Sequence, residues 1–307
     1  MKSLGRILTA MITPYDAQGA VDLTEAARLA LYLVAHGNDG VVVAGSTGEG
    51  NALDDEEKLA LCTAVKEALG SDGTVIANTA GINTRHGVAL TQKAQATGVD
   101  GILATVPAYV KPTQEGMLEH FGLIAESTYL PIIIYNIPGR TAANMLPETF
   151  TELTRRHENI VGIKESTGDV KQFTEILSRR TREDVTFWSG DDYIYLPSLA
   201  VGGYGLISVA GHMCGLELRA MAEAFDGGDV ETASKIHRDL SPLMDGLFRI
   251  SNPIPVKWAM STFGFSVGPC RPPLGPMPES LKSALEPLVA AYPSGATDAP
   301  PAFERAS

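Results

Sequence analysis

Eight short apolar runs, spaced so that each strand and the helix after it take roughly 30 residues, leave this chain few folds to choose from. The runs cover residues 7–13, 40–45, 74–79, 101–106, 131–138, 160–166, 185–191 and 204–210. They are rich in β-branched residues and continuous rather than alternating, as expected of parallel strands covered on both faces. The stretches between them carry the periodicity of amphipathic helices, most clearly over 23–36 and 54–69. Asp54-Asp55-Glu56-Glu57 places acids in a first helical turn, where the helix dipole favours them. Gly37, Gly70 and Gly98 stand where helix C-caps would fall.

Eight such units in 307 residues fit one α/β fold, the (β/α)8 TIM barrel, which takes about 250 residues. A doubly wound open sheet also alternates strand and helix, but the GxGxxG turn that often follows its first strand is absent. Beyond residue 210 the strand signals fade. The chain is therefore read as a barrel over 1–214, an appended C-terminal helical region over 215–292 and a Pro-, Ala- and Ser-rich tail over 293–307, expected to be mobile. Asn252-Pro253-Ile254-Pro255 interrupts the helical region.

A formal net charge of -12 argues against nucleic acid and anionic membranes as partners. No apolar run approaches membrane-spanning length, and the N-terminus reads as lacking a secretory leader. The cysteines Cys62, Cys214 and Cys270 are odd in number and far apart, which fits a reducing compartment with no disulfide framework. The expectation is a cytoplasmic protein acting on small molecules.

One residue is out of place in this pattern. Lys164 stands in the sixth run, Ile160-Val161-Gly162-Ile163-Lys164-Glu165-Ser166. An ammonium in an apolar strand must find partners or lose its proton, and a neutral lysine is a nucleophile that forms Schiff bases with carbonyl compounds. The plainer reading is a lysine that snorkels to solvent or pairs with Glu165.

In a TIM barrel the chemistry gathers at the C-terminal ends of the strands. Those ends offer Gly45-Ser46-Thr47-Gly48-Glu49-Gly50, then Tyr109, then Tyr135-Asn136-Ile137-Pro138-Gly139-Arg140, and then Ser189-Gly190-Asp191-Asp192. An amine, phenols, hydroxyls and a guanidinium together suit a keto acid: hydroxyls and backbone N–H groups hold a carboxylate, the amine attacks the ketone, a phenol moves protons, and the guanidinium clamps a second carboxylate. Each piece also has a plainer reading as a turn, a space-filling aromatic or a surface arginine. The glycine-rich turn lacks the Gly-Lys-Ser/Thr ending of a P-loop, and Asp191-Asp192 has no histidine or third acid at ligand spacing. The six histidines form no HxxxH pattern, so no metal is expected.

Taken together, Gly45-Ser46-Thr47-Gly48-Glu49, Tyr135-Asn136-Ile137-Pro138-Gly139-Arg140-Thr141, Gly162-Ile163-Lys164-Glu165, Ser189-Gly190-Asp191-Asp192 and Asn252-Pro253-Ile254-Pro255-Val256-Lys257 resemble the dihydrodipicolinate synthase and N-acetylneuraminate lyase family of Schiff-base aldolases. The resemblance runs over about residues 5–292 and is strongest to the synthase branch. It implies that Lys164 forms an imine with pyruvate and that Tyr135 is the proton-relay phenol. Thr47, with Ser46, would link that phenol to the pyruvate carboxylate and to Tyr109, which in this family crosses a subunit contact to complete the neighbour's relay. Arg140 would bind the carboxylate of aspartate β-semialdehyde, and Gly190 and Ile207 would line the pocket near the imine. The implied reaction condenses pyruvate with that aldehyde to give 4-hydroxy-tetrahydrodipicolinate, in the diaminopimelate route to lysine. It needs no cofactor, and the implied assembly is a homotetramer of tight dimers.

Two features depart from the synthase pattern. Ser46-Thr47 replaces the usual pair of threonines and matches the lyase branch, although serine keeps the hydroxyl. Where lysine-sensitive synthases carry an aromatic, a Glu and a His, this chain has Ala108, His86 and Asp55, so weak or absent inhibition by lysine is expected. The alternatives are a related pyruvate-dependent aldolase or dehydratase acting on another 2-keto acid, such as a sialic or keto-deoxy sugar acid, and a non-catalytic keto-acid sensor. Arg140 favours a dicarboxylate intermediate over a polyol, and a pure binder has no need of Lys164, Tyr135 and Thr47 together.

Overall fold

A computed structural model describes residues 4–79 and 81–292, so the tail expected from residue 293 onward lies outside the described residues. Eight parallel strands close into a barrel in chain order. They are β1 (Ile7–Ala10), β2 (Gly40–Val43), β3 (Thr74–Asn78), β4 (Gly101–Thr105), β5 (Ile132–Asn136), β6 (Ile160–Glu165), β7 (Thr186–Ser189) and β8 (Gly205–Ser208). Helices α1 (Leu23–Ala35), α2 (Asp55–Leu69), α3 (Thr84–Gln95), α4 (Gln114–Glu126), the short α5 (Pro138–Thr141), α6 (Pro147–Arg156), α7 (Val170–Ser178), α8 (Tyr195–Ala200) and α9 (Gly211–Asp226) surround it. The expected (β/α)8 barrel is the observed one. The ladders end slightly before the apolar runs do. Met11, Ile12, Ala44 and Val209 stay buried past the strand ends because they belong to the main apolar core around the barrel.

The acids at 54–57 act as a cap. Asp54 accepts from the Glu57 N–H at 2.8 Å, and the Glu57 carboxylate accepts from the Asp54 N–H at 3.1 Å, a capping box at the start of α2. Gly37, Gly70 and Gly98 take positive φ at or just past helix ends, where a Cβ would be strained.

Inside the barrel, Leu8, Val42, Ile76, Leu103, Ile133, Val161, Trp188 and Ile207 form their own apolar cluster. Trp188 fills the floor, its indole N–H donating to the Gly5 carbonyl at 3.0 Å. It fits because two neighbouring strands present glycine. A Cβ on Gly162 would lie 2.6 Å from the indole, and one on Gly205 2.7 Å from it.

Strand β6 is irregular. Ile132 faces Ile160, but Ile133 faces Gly162, so Val161 is an extra residue on β6. A bulge of this kind re-aims the side chains that follow. Beyond it Ile163 joins the outer core, while Lys164 lies directly opposite Tyr135.

Past β8, α9 has non-helical backbone at Cys214 and runs on across the boundary expected at residue 214. Helices α10 (Val230–Gly246), α11 (Ile254–Thr262) and α12 (Glu279–Ala290) follow. Lys257 of α11 reaches into the barrel loops and pairs with Glu49 at 2.7 Å, with both side chains buried. The same lysine lies over the Tyr15 ring at 4.0 Å, and Arg271 stacks on that ring at 4.4 Å while pairing with Glu57 at 2.6 Å. Among the described residues no helix is long and apolar enough to cross a membrane.

Candidate active site

The C-terminal mouth of the barrel opens into a cavity of about 450 Å³. Lys164 reaches it from β6, with only 5% of its surface exposed. That burial excludes the snorkelling reading. Pairing with Glu165 is excluded too, because that carboxylate accepts from Asn136 Nδ2 at 2.9 Å, Gln172 Nε2 at 3.2 Å and the Thr167 N–H at 2.8 Å. Lys164 Nζ instead lies 4.2 Å from the centre of the Tyr135 ring. Burial lowers its pKa from 10.5 to about 7, with Asp192 opposing the shift and Arg140 adding to it. A substantial share of the amine is therefore neutral, and nucleophilic, near neutral pH.

Tyr135 is as buried as the lysine, and burial raises its phenol to about 12. The phenol stays protonated and is a proton donor across the physiological range. Ser166, two residues beyond Lys164 on the same segment, acts against that rise through its side chain, which is buried in the cavity wall beside the phenol.

Gly190 follows β7 and leaves room for the amine. A Cβ there would lie 2.0 Å from Ser166 Oγ and 2.9 Å from Lys164 Cε. Asp192 is structural. Its carboxylate accepts from the Ser208 hydroxyl and from the N–H groups of Val209 at 3.0 Å and Ala210 at 3.2 Å, which ties the β7 loop to the end of β8.

The loop after β2 brings Ser46 and Thr47 to the cavity. It is shaped by Glu49 in a left-handed conformation and by Thr13, whose hydroxyl donates to the Gly48 carbonyl at 2.6 Å. Thr47 Oγ1 accepts from Asn252 Nδ2 at 2.9 Å. Arg140, on α5, lines this cavity and a second one of about 530 Å³ beside it. Its Nη2 donates to the Asn252 carbonyl at 3.2 Å.

Two of the expected site residues lie elsewhere. Ile207 belongs to the apolar interior and is not among the residues lining the cavity, whereas Val209, two residues on, is. Tyr109 is 88% exposed, at φ +70°, and does not line the cavity of its own chain. His86 and Asp55 pair with each other at 2.8 Å on the surface.

Sequence reasoning gives no role to Ser166, Asn252 or the C-terminal residues Met244, Asp245 and Phe248, which close the cavity from the side of α10. Inward parity with Lys164 is a signal for Ser166. Asn252 opens the Asn252–Lys257 motif, but a neutral amide in a loop carries no chemical flag.

The geometry places a neutral-leaning amine against a protonated phenol, with hydroxyls on one side and a guanidinium at the rim. That suits imine formation with a small keto acid.

The chain as a whole is similar to known proteins. Residues 3–292 match the model of the dihydrodipicolinate synthetase family. The 4-hydroxy-tetrahydrodipicolinate synthase of Moorella thermoacetica is 50% identical over 270 residues, covering 88% of this chain and 92% of that one. A crystal structure of a dihydrodipicolinate synthase from Bacillus anthracis superposes with a TM-score of 0.92 at 41% identity, covering 95% of this chain and 100% of the other. The enzyme from Cyanidioschyzon merolae, solved with lysine bound, gives 0.92 at 39% identity over 94% of this chain and 98% of its own. By sequence and by structure, the chain belongs to the dihydrodipicolinate synthetase family.

Proposed function

We infer that this chain catalyses the condensation of pyruvate with aspartate β-semialdehyde to 4-hydroxy-tetrahydrodipicolinate, as a lyase of the diaminopimelate route to lysine. The observation that carries the reading is Lys164: an amine buried against Tyr135 in the barrel mouth, lowered to about 7, with Arg140 at the rim.

In the mechanism the neutral Lys164 amine adds to the C2 carbonyl of pyruvate. The carbinolamine oxygen takes a proton and leaves as water, which gives the protonated imine. The imine draws electrons from C3, whose proton passes to a base, and an enamine forms. The enamine carbon attacks the aldehyde, whose oxygen takes a proton and becomes the 4-hydroxyl. The α-ammonium of the second substrate then gives up a proton to a base, and the free amine adds to the imine carbon re-formed by that attack and displaces Lys164 as the ring closes. Tyr135 is the phenol in reach of these protons, Ser46 and Thr47 hold the pyruvate carboxylate, and Arg140 takes the carboxylate of the aldehyde. No cofactor enters, because the lysine itself makes the electrophile. Exposed Tyr109 fits donation to a neighbouring subunit in a homotetramer, and a cytoplasmic enzyme fits these substrates.

A coupled assay with pyruvate, aspartate β-semialdehyde and dihydrodipicolinate reductase tests the reading. Turnover is expected. Its absence, with pyruvate still trapped on Lys164 by borohydride, would move the assignment to another aldehyde. Tyr135→Phe is expected to slow turnover by roughly 10²–10⁴, the usual share of a positioned acid–base group, and a near-normal rate would remove Tyr135 from the relay.

A further inference from the structure

Asn252 comes from the C-terminal region, between α10 and α11, yet three of its atoms bear on the active site. Its Nδ2 donates to Thr47 Oγ1 at 2.9 Å, and its main-chain carbonyl accepts from Arg140 Nη2 at 3.2 Å. Its Oδ1 is buried without a hydrogen-bond partner, in a residue only 6% exposed. The residue lines both cavities, on the wall that it shares with Arg140.

Native proteins rarely leave a buried amide oxygen unpaired, and such a group next to a ligand cavity points to a donor on the ligand. The other groups of the site narrow the choice. Arg140 has no acceptor atom and takes a carboxylate. In an α-amino acid the carboxylate and the ammonium share one carbon. Because Arg140 is hydrogen-bonded to Asn252, a carboxylate held by the guanidinium carries its α-ammonium to the neighbourhood of Asn252. Pyruvate has no N–H to offer, so the donor belongs to the second substrate.

We propose that Asn252 is a specificity-determining residue that completes an α-amino-acid clamp with Arg140: the guanidinium takes the carboxylate of the second substrate, and Oδ1 accepts a hydrogen bond from its α-ammonium. The inference rests on the functional reading above, in which Arg140 binds that carboxylate. It gives the site a reason to prefer an amino aldehyde over the same chain without the amine. It also sets the nitrogen that closes the ring beside the imine, and the bond from Nδ2 to Thr47 joins the clamp to the pyruvate side.

The test compares KM for aspartate β-semialdehyde with the inhibition constant of succinate semialdehyde, which has the carboxylate and aldehyde but no amine. Asn252→Ala is expected to raise the KM by about 10- to 100-fold, the cost of losing a hydrogen bond to a charged group, and to leave the succinate semialdehyde constant where it was. Asn252→Asp keeps the size and an acceptor oxygen, so its KM should sit at or below that of the unmodified enzyme. In both variants kcat should fall, because Thr47 loses its donor. The proposal is overturned if Asn252→Ala moves both constants alike or neither. It is equally overturned if Asn252→Asp raises the KM as alanine does, and this isosteric variant remains decisive if the alanine variant folds poorly. Failure of the functional reading looks different: the unmodified enzyme would not turn over aspartate β-semialdehyde at all.

Discussion

At the scale of the residue, the chemistry of this site is a lysine deprived of water. Three causes act on Lys164: burial lowers its pKa, Asp192 opposes that, and Arg140 adds to it. The sign is simple. The folded enzyme releases this proton near pH 7 whereas a free lysine holds it to 10.5, so the nucleophilic fraction rises as pH climbs through about 7. The initial rate of imine trapping with pyruvate should therefore rise with pH and level off above an apparent pKa near 7. A midpoint left near 10 would mean that the amine is solvated and that the account of its burial is wrong. This residue was legible in the sequence because a charge in an apolar strand breaks a pattern. Ser166 and Asn252 were not, because neutral hydroxyls and amides break none; only the fold shows that Ser166 is buried beside the Tyr135 phenol and that Asn252 Oδ1 is buried without a partner.

At the scale of the element, aim matters more than identity. The extra residue at Val161 shifts the register of β6, so that Lys164 rather than Ile163 faces the cavity. The run at 160–166 announced a strand, but nothing in it announced the bulge, because a register shift depends on the neighbouring strand. Glycine does related work after β7. Gly190→Ala would put a methyl 2.0 Å from Ser166 Oγ and 2.9 Å from Lys164 Cε, which pushes the amine out of place. The expected outcome is a fold that persists, seen in an unchanged circular dichroism spectrum, with imine trapping slowed by at least roughly 10², the scale of a 1 Å misplacement. Normal trapping in that variant would show that the space is not needed. Strand positions were readable because parallel strands must be apolar throughout. Their ends were less so, since the loops at the mouth are apolar as well.

At the scale of the whole molecule, the C-terminal helices are part of the active site. They supply Asn252 and the α10 wall, and the Lys257–Glu49 pair fastens them to the loop that carries Thr47. Lys257→Ala leaves the Glu49 carboxylate buried without its cation, though the Arg271 N–H still donates to it at 2.8 Å, and removing one member of a buried pair costs about 3–5 kcal/mol. A large fall in Tm together with a fall in kcat is expected; a Tm within experimental error of the unmodified enzyme would show the pair to be dispensable.

Acid should loosen the same molecule. Burial lowers His212 from 6.5 to about 4, and its neutral ring accepts from the Ile12 N–H at 3.1 Å while its other nitrogen meets the Val209 carbonyl at 2.8 Å. The unfolded chain protonates this group near 6.5 and the folded one only near 4, so its contribution is complete above 6.5 and fades as pH falls towards 4. Buried Asp191 and Asp192, whose pKa values are raised, act in the opposite sense, so the fair comparison is with His212→Asn. The stability gap between the two proteins should narrow from pH 7 to pH 4, and a constant gap would contradict the assignment. Eight units and an extra helical region were legible from spacing alone. The fasteners between them were not, because Glu49, Lys257, Tyr15 and Arg271 are far apart in sequence and meet only in the closed structure.

The most direct test of the account is borohydride reduction in the presence of pyruvate, followed by peptide mass mapping. The peptide holding Lys164 is expected to gain one reduced pyruvyl group, and Lys164→Ala, still folded, to gain none. A label on another lysine, or no label in an enzyme that turns over, would contradict it.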